Sequence, residues 1–200
     1  MFGNIRAFIA LRLPENILSS INKIQEDLKQ YRLPVRWVRP ENIHLTLKFF
    51  GNISESDTEI IGIAMGDCAG CCSPLTLSAK GIGVFPSVAR PRVIWAGFSG
   101  QISLLLSFQD ALEKRLEKSG FKKEERPFKG QLTIGRFKDR VNSERLIEAI
   151  RKHKDFNTDV FNAGEIILFK SDLLPAGPVY TELLNVPLTQ NELAVTLTVS

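Results

Sequence analysis

RPENIHLTLKFF (residues 39–50) recurs in altered form as RPFKGQLTIGRF (residues 126–137), and the two align at a constant offset of 87. Each reads Arg-Pro, three residues, His or Gln, Leu-Thr, Leu or Ile, two residues, then Phe. The same shift lays 14–29 over 101–116, two helical segments that each follow a strand, so the repeat extends beyond the dozen matched residues. The chain reads as internally duplicated. The expectation is one domain over 1–200, made of two intertwined lobes related by a pseudo-twofold axis.

Side chains alternate across a strand. Leu45, Leu47 and Phe49 therefore take one face, and His44, Thr46 and Lys48 the other. Leu132 and Ile134 likewise oppose Gln131 and Thr133. One face is apolar core and the other polar. Two such lobes packed together would line a central cleft with both polar faces, bringing His44, Thr46, Gln131 and Thr133 towards one point, and lobe interfaces commonly hold ligands. A single His-x-Thr would more often be the solvated face of a sheet. The second copy reverses that preference. Arg136 has the wrong parity for the cleft unless its strand bulges, and Arg39 and Arg126 read as loop supports.

The flanking segments give the fold class. RAFIAL (6–11) is strand-like, and after Pro14 the residues Ile17, Leu18, Ile21, Ile24 and Leu28 mark one helical face. RVIWAGF (92–98) and the stripe Leu104, Leu105, Phe108, Leu112 and Leu116, closed by Gly120, repeat the unit. Further helices are predicted over 55–68, capped by Ser54 or Ser56, and over 143–153 with Leu146, Ile147 and Ile150 inward. Strands are predicted at 75–85, 131–137, 164–171, 179–185 and 193–199. The turn signals FPSVARP and LLPAGP join neighbouring strands by short links, which suits hairpins. The expectation is α+β, with mainly antiparallel sheets and helices on the outer faces.

Composition narrows the class of function. With 44% hydrophobic residues in 200, the chain can bury a substantial core. Arg6 and Arg12 enclose too short an apolar stretch for a signal peptide, and no run approaches a membrane span. A cytoplasmic, monomeric protein is expected. Cys68, Cys71 and Cys72 have no second cluster to complete a zinc site, so no metal site is expected. The net charge of +4, with basic residues concentrated between Lys122 and Arg140, favours anionic partners. His153, in RKHKD, reads as a solvated helix end.

The doubled His-x-Thr pattern, with RAFIAL near the start, VRWVRPENIHLTLKFFG, GVFPSVARPRVIWAG, ERPF, LTIGR and GPVYTELL, resembles the 2H phosphoesterases. More narrowly it is similar to the bacterial RNA 2′,3′-cyclic phosphodiesterases, also called 2′-5′ RNA ligases. The resemblance implies hydrolysis of a terminal 2′,3′-cyclic phosphate to a 2′-phosphate, with possible 2′-5′ joining, and no cofactor or metal. It implies RNA ends or nucleoside 2′,3′-cyclic phosphates as partners, His44 as proton donor to the leaving oxygen, and Thr46, Thr133 and Arg136 around the phosphate. The chain departs from the family where Gly130-Gln131-Leu132-Thr133 replaces the second histidine, the site to which the family assigns the base. An amide at 131 can orient water or hold phosphate but cannot accept a proton. Loss of a general base slows a reaction about 10²- to 10⁴-fold, roughly 3 to 5 kcal/mol of barrier. Two readings stay open: a weakened phosphodiesterase, or a non-catalytic module binding RNA ends in the same cleft.

Overall fold

The computed structural model describes residues 3–175 and 177–189. The strand expected at 193–199 lies outside them. Strand β1 (Asn4–Leu11) leads into helix α1 (Glu15–Lys29) and the short strand β2 (Val35–Trp37). A 3-10 turn at Pro40–Asn42 enters β3 (Leu45–Ser54), followed by α2 (Asp57–Ala69) and β4 (Leu75–Phe85). The second half runs β5 (Val93–Gly100), α3 (Ile102–Lys118), β6 (Gln131–Phe137), α4 (Ser143–Lys152), β7 (Phe161–Ala163), β8 (Glu165–Leu174) and β9 (Gly177–Pro187).

Among the described residues two sheets form, in the orders β3-β1-β8-β9 and β2-β6-β5-β4-β7, and their ladders are antiparallel. The hairpins β4–β5 and β8–β9 close at FPSVARP and LLPAGP, where the turn residues stand. Each sheet draws strands from both halves of the chain: β8 pairs with β1 in one, and β6 with β2 in the other. The α+β class and its antiparallel sheets therefore match the expectation. No helix among the described residues is long and apolar enough to cross a membrane.

The helices form where apolar stripes can be buried. In α1, Ile17, Ile21, Ile24 and Leu28 are buried, and the amide of Gln25 shares that stripe. In α3, Leu105, Phe108, Leu112 and Leu116 are buried with the carboxylate of Glu113, and the chain leaves the helix through Gly120 at a positive φ of 94°. Leu104 is turned outward, contrary to the expected stripe. In α4, Leu146 and Ala149 are buried while Ile147 is exposed, because the stripe is narrower than three isoleucine and leucine side chains suggested. Asn142 caps α4 by accepting the Arg145 N–H at 3.0 Å. At α2 the Ser56 side chain does not cap; instead Asp57 Oδ2 accepts the Ser54 N–H at 2.9 Å. The cysteines near the end of α2 are free thiols, and burial pushes those of Cys68 and Cys72 upward in pKa.

Candidate active site

Both motif strands carry a β-bulge at the same place. Along β3, Lys48 pairs with Ile9 and Thr46 with Ala10, leaving Leu47 as the extra residue. Along β6, Gly135 pairs with Ile94 and Thr133 with Trp95, leaving Ile134 extra. Leu47 and Ile134 are 87 apart, the offset of the repeat. A bulge inserts one residue and so reverses the parity of the residues that follow it, in β3 as far as Phe50, where a second bulge restores it. Arg136 thereby turns into the cleft, as the sequence required if its strand bulged. In β3 the same inversion overturns the simple alternation: Phe49, expected in the core, is exposed and lines the cleft. Lys48, expected on the polar face, is only 4% exposed and turns into the core. There it pairs with Glu113 and donates to the Lys122 carbonyl at 2.6 Å, while Glu113 Oε1 also accepts the Glu124 N–H at 2.7 Å.

His44, Thr46, Gln131, Thr133 and Arg136 all line one cavity of about 580 Å³. Arg6, Arg36 and Arg39 join Arg136 on its walls, and among the described residues no Asp or Glu lines it. Four arginines around a hollow that no carboxylate lines among the described residues suit an anion such as phosphate. Arg6 lies over the Phe49 ring at 4.5 Å, so β1 supplies on this side the cation that β6 supplies through Arg136 on the other. Burial raises the Tyr180 phenol pKa, and both Arg136 and Arg6 oppose that shift, which places both guanidinium groups near the phenol.

His44 is held by rings. It stacks on Phe8 with centroids 4.6 Å apart and meets Tyr180 edge-on at 5.2 Å. Burial lowers its pKa to about 4, against the pull of a hydrogen bond with the Asn42 backbone. The imidazole is therefore neutral at pH 7. It also borders a second hollow of about 760 Å³ that shares Arg39, Asn42, Pro178 and Tyr180, so the ring stands in the wall between the two.

Sequence reasoning missed Arg6, Arg36, Phe8, Phe49 and Tyr180 in the cleft, and assigned Arg39 only a supporting part. In RAFIAL the alternation of Arg6 and Phe8 against Ala7 and Ile9 was a usable signal for the first pair. The other predicted histidine environment needs correction: His153 is half-buried, edge-on to Tyr31 at 6.1 Å, with Nε2 buried and unpartnered among the described residues. It docks on Tyr31, just past the end of α1, instead of facing water, and it does not line the cleft.

The sequence pattern of the LigT like Phosphoesterase family matches residues 11–95 and 99–180, with the break falling between the two motif-bearing halves. The chain belongs to this family. An RNA 2′,3′-cyclic phosphodiesterase of Methanothermobacter thermautotrophicus is 35% identical over 179 residues, covering 90% of this chain and 96% of that one. Another, of Methanocaldococcus jannaschii, is 37% identical over 177 residues, covering 88% and 96%. The fold matches that of a Thermus thermophilus protein of known crystal structure, with a TM-score of 0.78 at 24% identity, covering 94% of this chain and all of that one.

Proposed function

We propose that the cleft hydrolyses a terminal 2′,3′-cyclic phosphate to a 2′-phosphate, at a rate limited by Gln131. The observation that carries this reading is the meeting of both motif strands on one hollow, with four arginines and, among the described residues, no carboxylate on its walls. The curated relatives of that name over most of the chain support it. In this reading the oxygen of water bonds to phosphorus while the bond to the 3′ oxygen breaks, and His44 gives that oxygen its proton. Burial favours the neutral ring, and a phosphate anion bound beside it favours the imidazolium, so substrate stabilises the charged form. The Gln131 amide orients the water without accepting its proton, which passes to a phosphoryl oxygen or to solvent. The hydroxyls of Thr46 and Thr133 and the Arg136 guanidinium hold the phosphoryl oxygens. No cofactor or metal enters this scheme.

The rest of the reading is a single unit of two duplicated lobes, acting as a cytoplasmic monomer on RNA ends or nucleoside 2′,3′-cyclic phosphates, with 2′-5′ joining as the reverse reaction. A second reading, a module that binds RNA ends without turnover, is favoured by one feature: among the described residues His44 is the only imidazole on the cleft wall. Turnover of a nucleoside 2′,3′-cyclic phosphate by this protein and by His44→Ala separates the two. The phosphodiesterase reading expects slow turnover that falls a further 10²- to 10⁴-fold, approximately, in the variant. Equal residual rates with phosphate-end binding intact would select the binding module.

A further inference from the structure

A bulge leaves its extra residue outside the regular ladder, and Leu47 and Ile134 are both buried. Their carbonyls must find donors in the core, since a buried carbonyl without one is costly. The donors come from the opposite half of the chain. Gln25 on α1 is 2% exposed, and its Nε2 donates to Ile134 O and to Val38 O, both at 2.8 Å. The Val38 N–H adds a second bond to Ile134 O at 3.0 Å. Gln109 on α3 donates from Nε2 to Leu47 O at 3.3 Å. Helix α1 precedes β3 in the chain yet serves β6, and α3 precedes β6 yet serves β3.

We propose that Gln25 and Gln109 are positioning residues that latch the two bulges and thereby hold Arg136 and Phe49 in the cleft. An amide in the apolar stripe of α1 is otherwise unfavourable, because burying it requires partners for its polar atoms. Here its two N–H groups tie the exit of β2 to the bulge of β6. Without the latch the carbonyl of Ile134 keeps one donor, and β6 is freer to slip towards a regular register. A slip of one residue would swing Arg136 away from the phosphate site and towards the core. The latch on β3 acts in the same sense on Phe49, and through it on the Arg6 guanidinium that rests on that ring.

This inference rests on the reading of the cleft as a phosphate site, and its test is read by binding as well as by turnover. Gln25→Met removes both donors at nearly constant volume. Inorganic phosphate is titrated by calorimetry into the protein, Gln25→Met, Arg136→Ala and the double variant, and KM and kcat for a nucleoside 2′,3′-cyclic phosphate are measured in parallel. Loss of one charge-assisted contact predicts about tenfold weaker phosphate binding in Gln25→Met, with KM affected more than kcat. In the Arg136→Ala background the same substitution should change nothing further, since the latch acts through Arg136. Ile21→Val, a core change on the same helix with comparable loss of stability, should leave phosphate affinity unchanged. Unaltered phosphate affinity in Gln25→Met, or an equal further loss in the Arg136→Ala background, overturns the proposal. If phosphate binds as predicted but no variant turns over, the latch stands and the phosphodiesterase reading falls.

Discussion

Lys48 and Gly135 occupy the same place in the two motif strands, one residue beyond the bulge, and they meet opposite surroundings. Behind β3, which edges its sheet, the position opens onto α3 and the 121–130 loop, and a long cation reaches Glu113 and the Lys122 carbonyl. In its own sheet β6 is flanked by β2 and β5, and a Cβ at 135 would lie 2.5 Å from Val35 Cγ1 and 2.9 Å from Ile94 Cγ2. Only glycine fits there without displacing its neighbours. The cleft-facing positions diverge less in placement than in chemistry: 44 with 131, 46 with 133, and 49 with 136 all line the same hollow. The comparison teaches that the repeat retains the geometry of its polar face while each copy is backed by its own packing.

The comparison can be broken first on the β3 side. Lys48→Ala leaves Glu113 buried without its cation, and removing one partner of a buried pair costs about 3–5 kcal/mol. Denaturant unfolding checks this, and a loss below about 1 kcal/mol, the range of exposed pairs, would show that water reaches the pair.

Acid distinguishes the copies next. The folded pKa of His44, about 4, lies below its ordinary value of 6.5, so folding favours the neutral ring. That stabilisation is complete above pH 6.5 and is lost as the pH falls towards 4, amounting to roughly 3 kcal/mol. Gln131 does not titrate and contributes none. Unfolding of the protein and of His44→Gln between pH 7 and 4 should therefore differ in slope, the variant being the flatter; parallel curves would mean that the ring is solvated.

The smallest effect is expected at the other backing position. Gly135→Ala overpacks the contact with Val35 and Ile94 and should cost about 1–3 kcal/mol, reduced where the edge strand β2 can shift. Thermal unfolding measures it, and a neutral outcome would show that β2 is loosely held.

Much of this was legible from residues alone because the motif occurs twice, at an offset of 87, and gave two readings of one strand pattern. The helices followed from their stripes, the hairpins from their Pro and Gly turns, and the convergence of residues 44, 46, 131 and 133 from alternation plus symmetry. The bulges were not legible, since an inserted residue such as Leu47 or Ile134 looks like any other apolar strand residue. Parity beyond them was therefore lost: Lys48 read as polar face and Phe49 as core, and Arg136 entered only conditionally. Tyr180 reaches the cleft from a segment distant in the chain and Arg36 from the short strand β2 just ahead of the first motif, and no local pattern announces either. Gln25 shows what signal was available, a single amide inside an otherwise apolar helical stripe.

In the proposed reading the cleft holds phosphate while Gln131 deprives it of a group to accept the proton of water. The most direct measurement is kcat for a nucleoside 2′,3′-cyclic phosphate in this protein and in Gln131→His. Gln131→His should raise kcat about 10²- to 10⁴-fold, with a new ionisation in the pH profile near the ordinary histidine value. Efficient turnover by the parent protein, unchanged by the substitution, would contradict it.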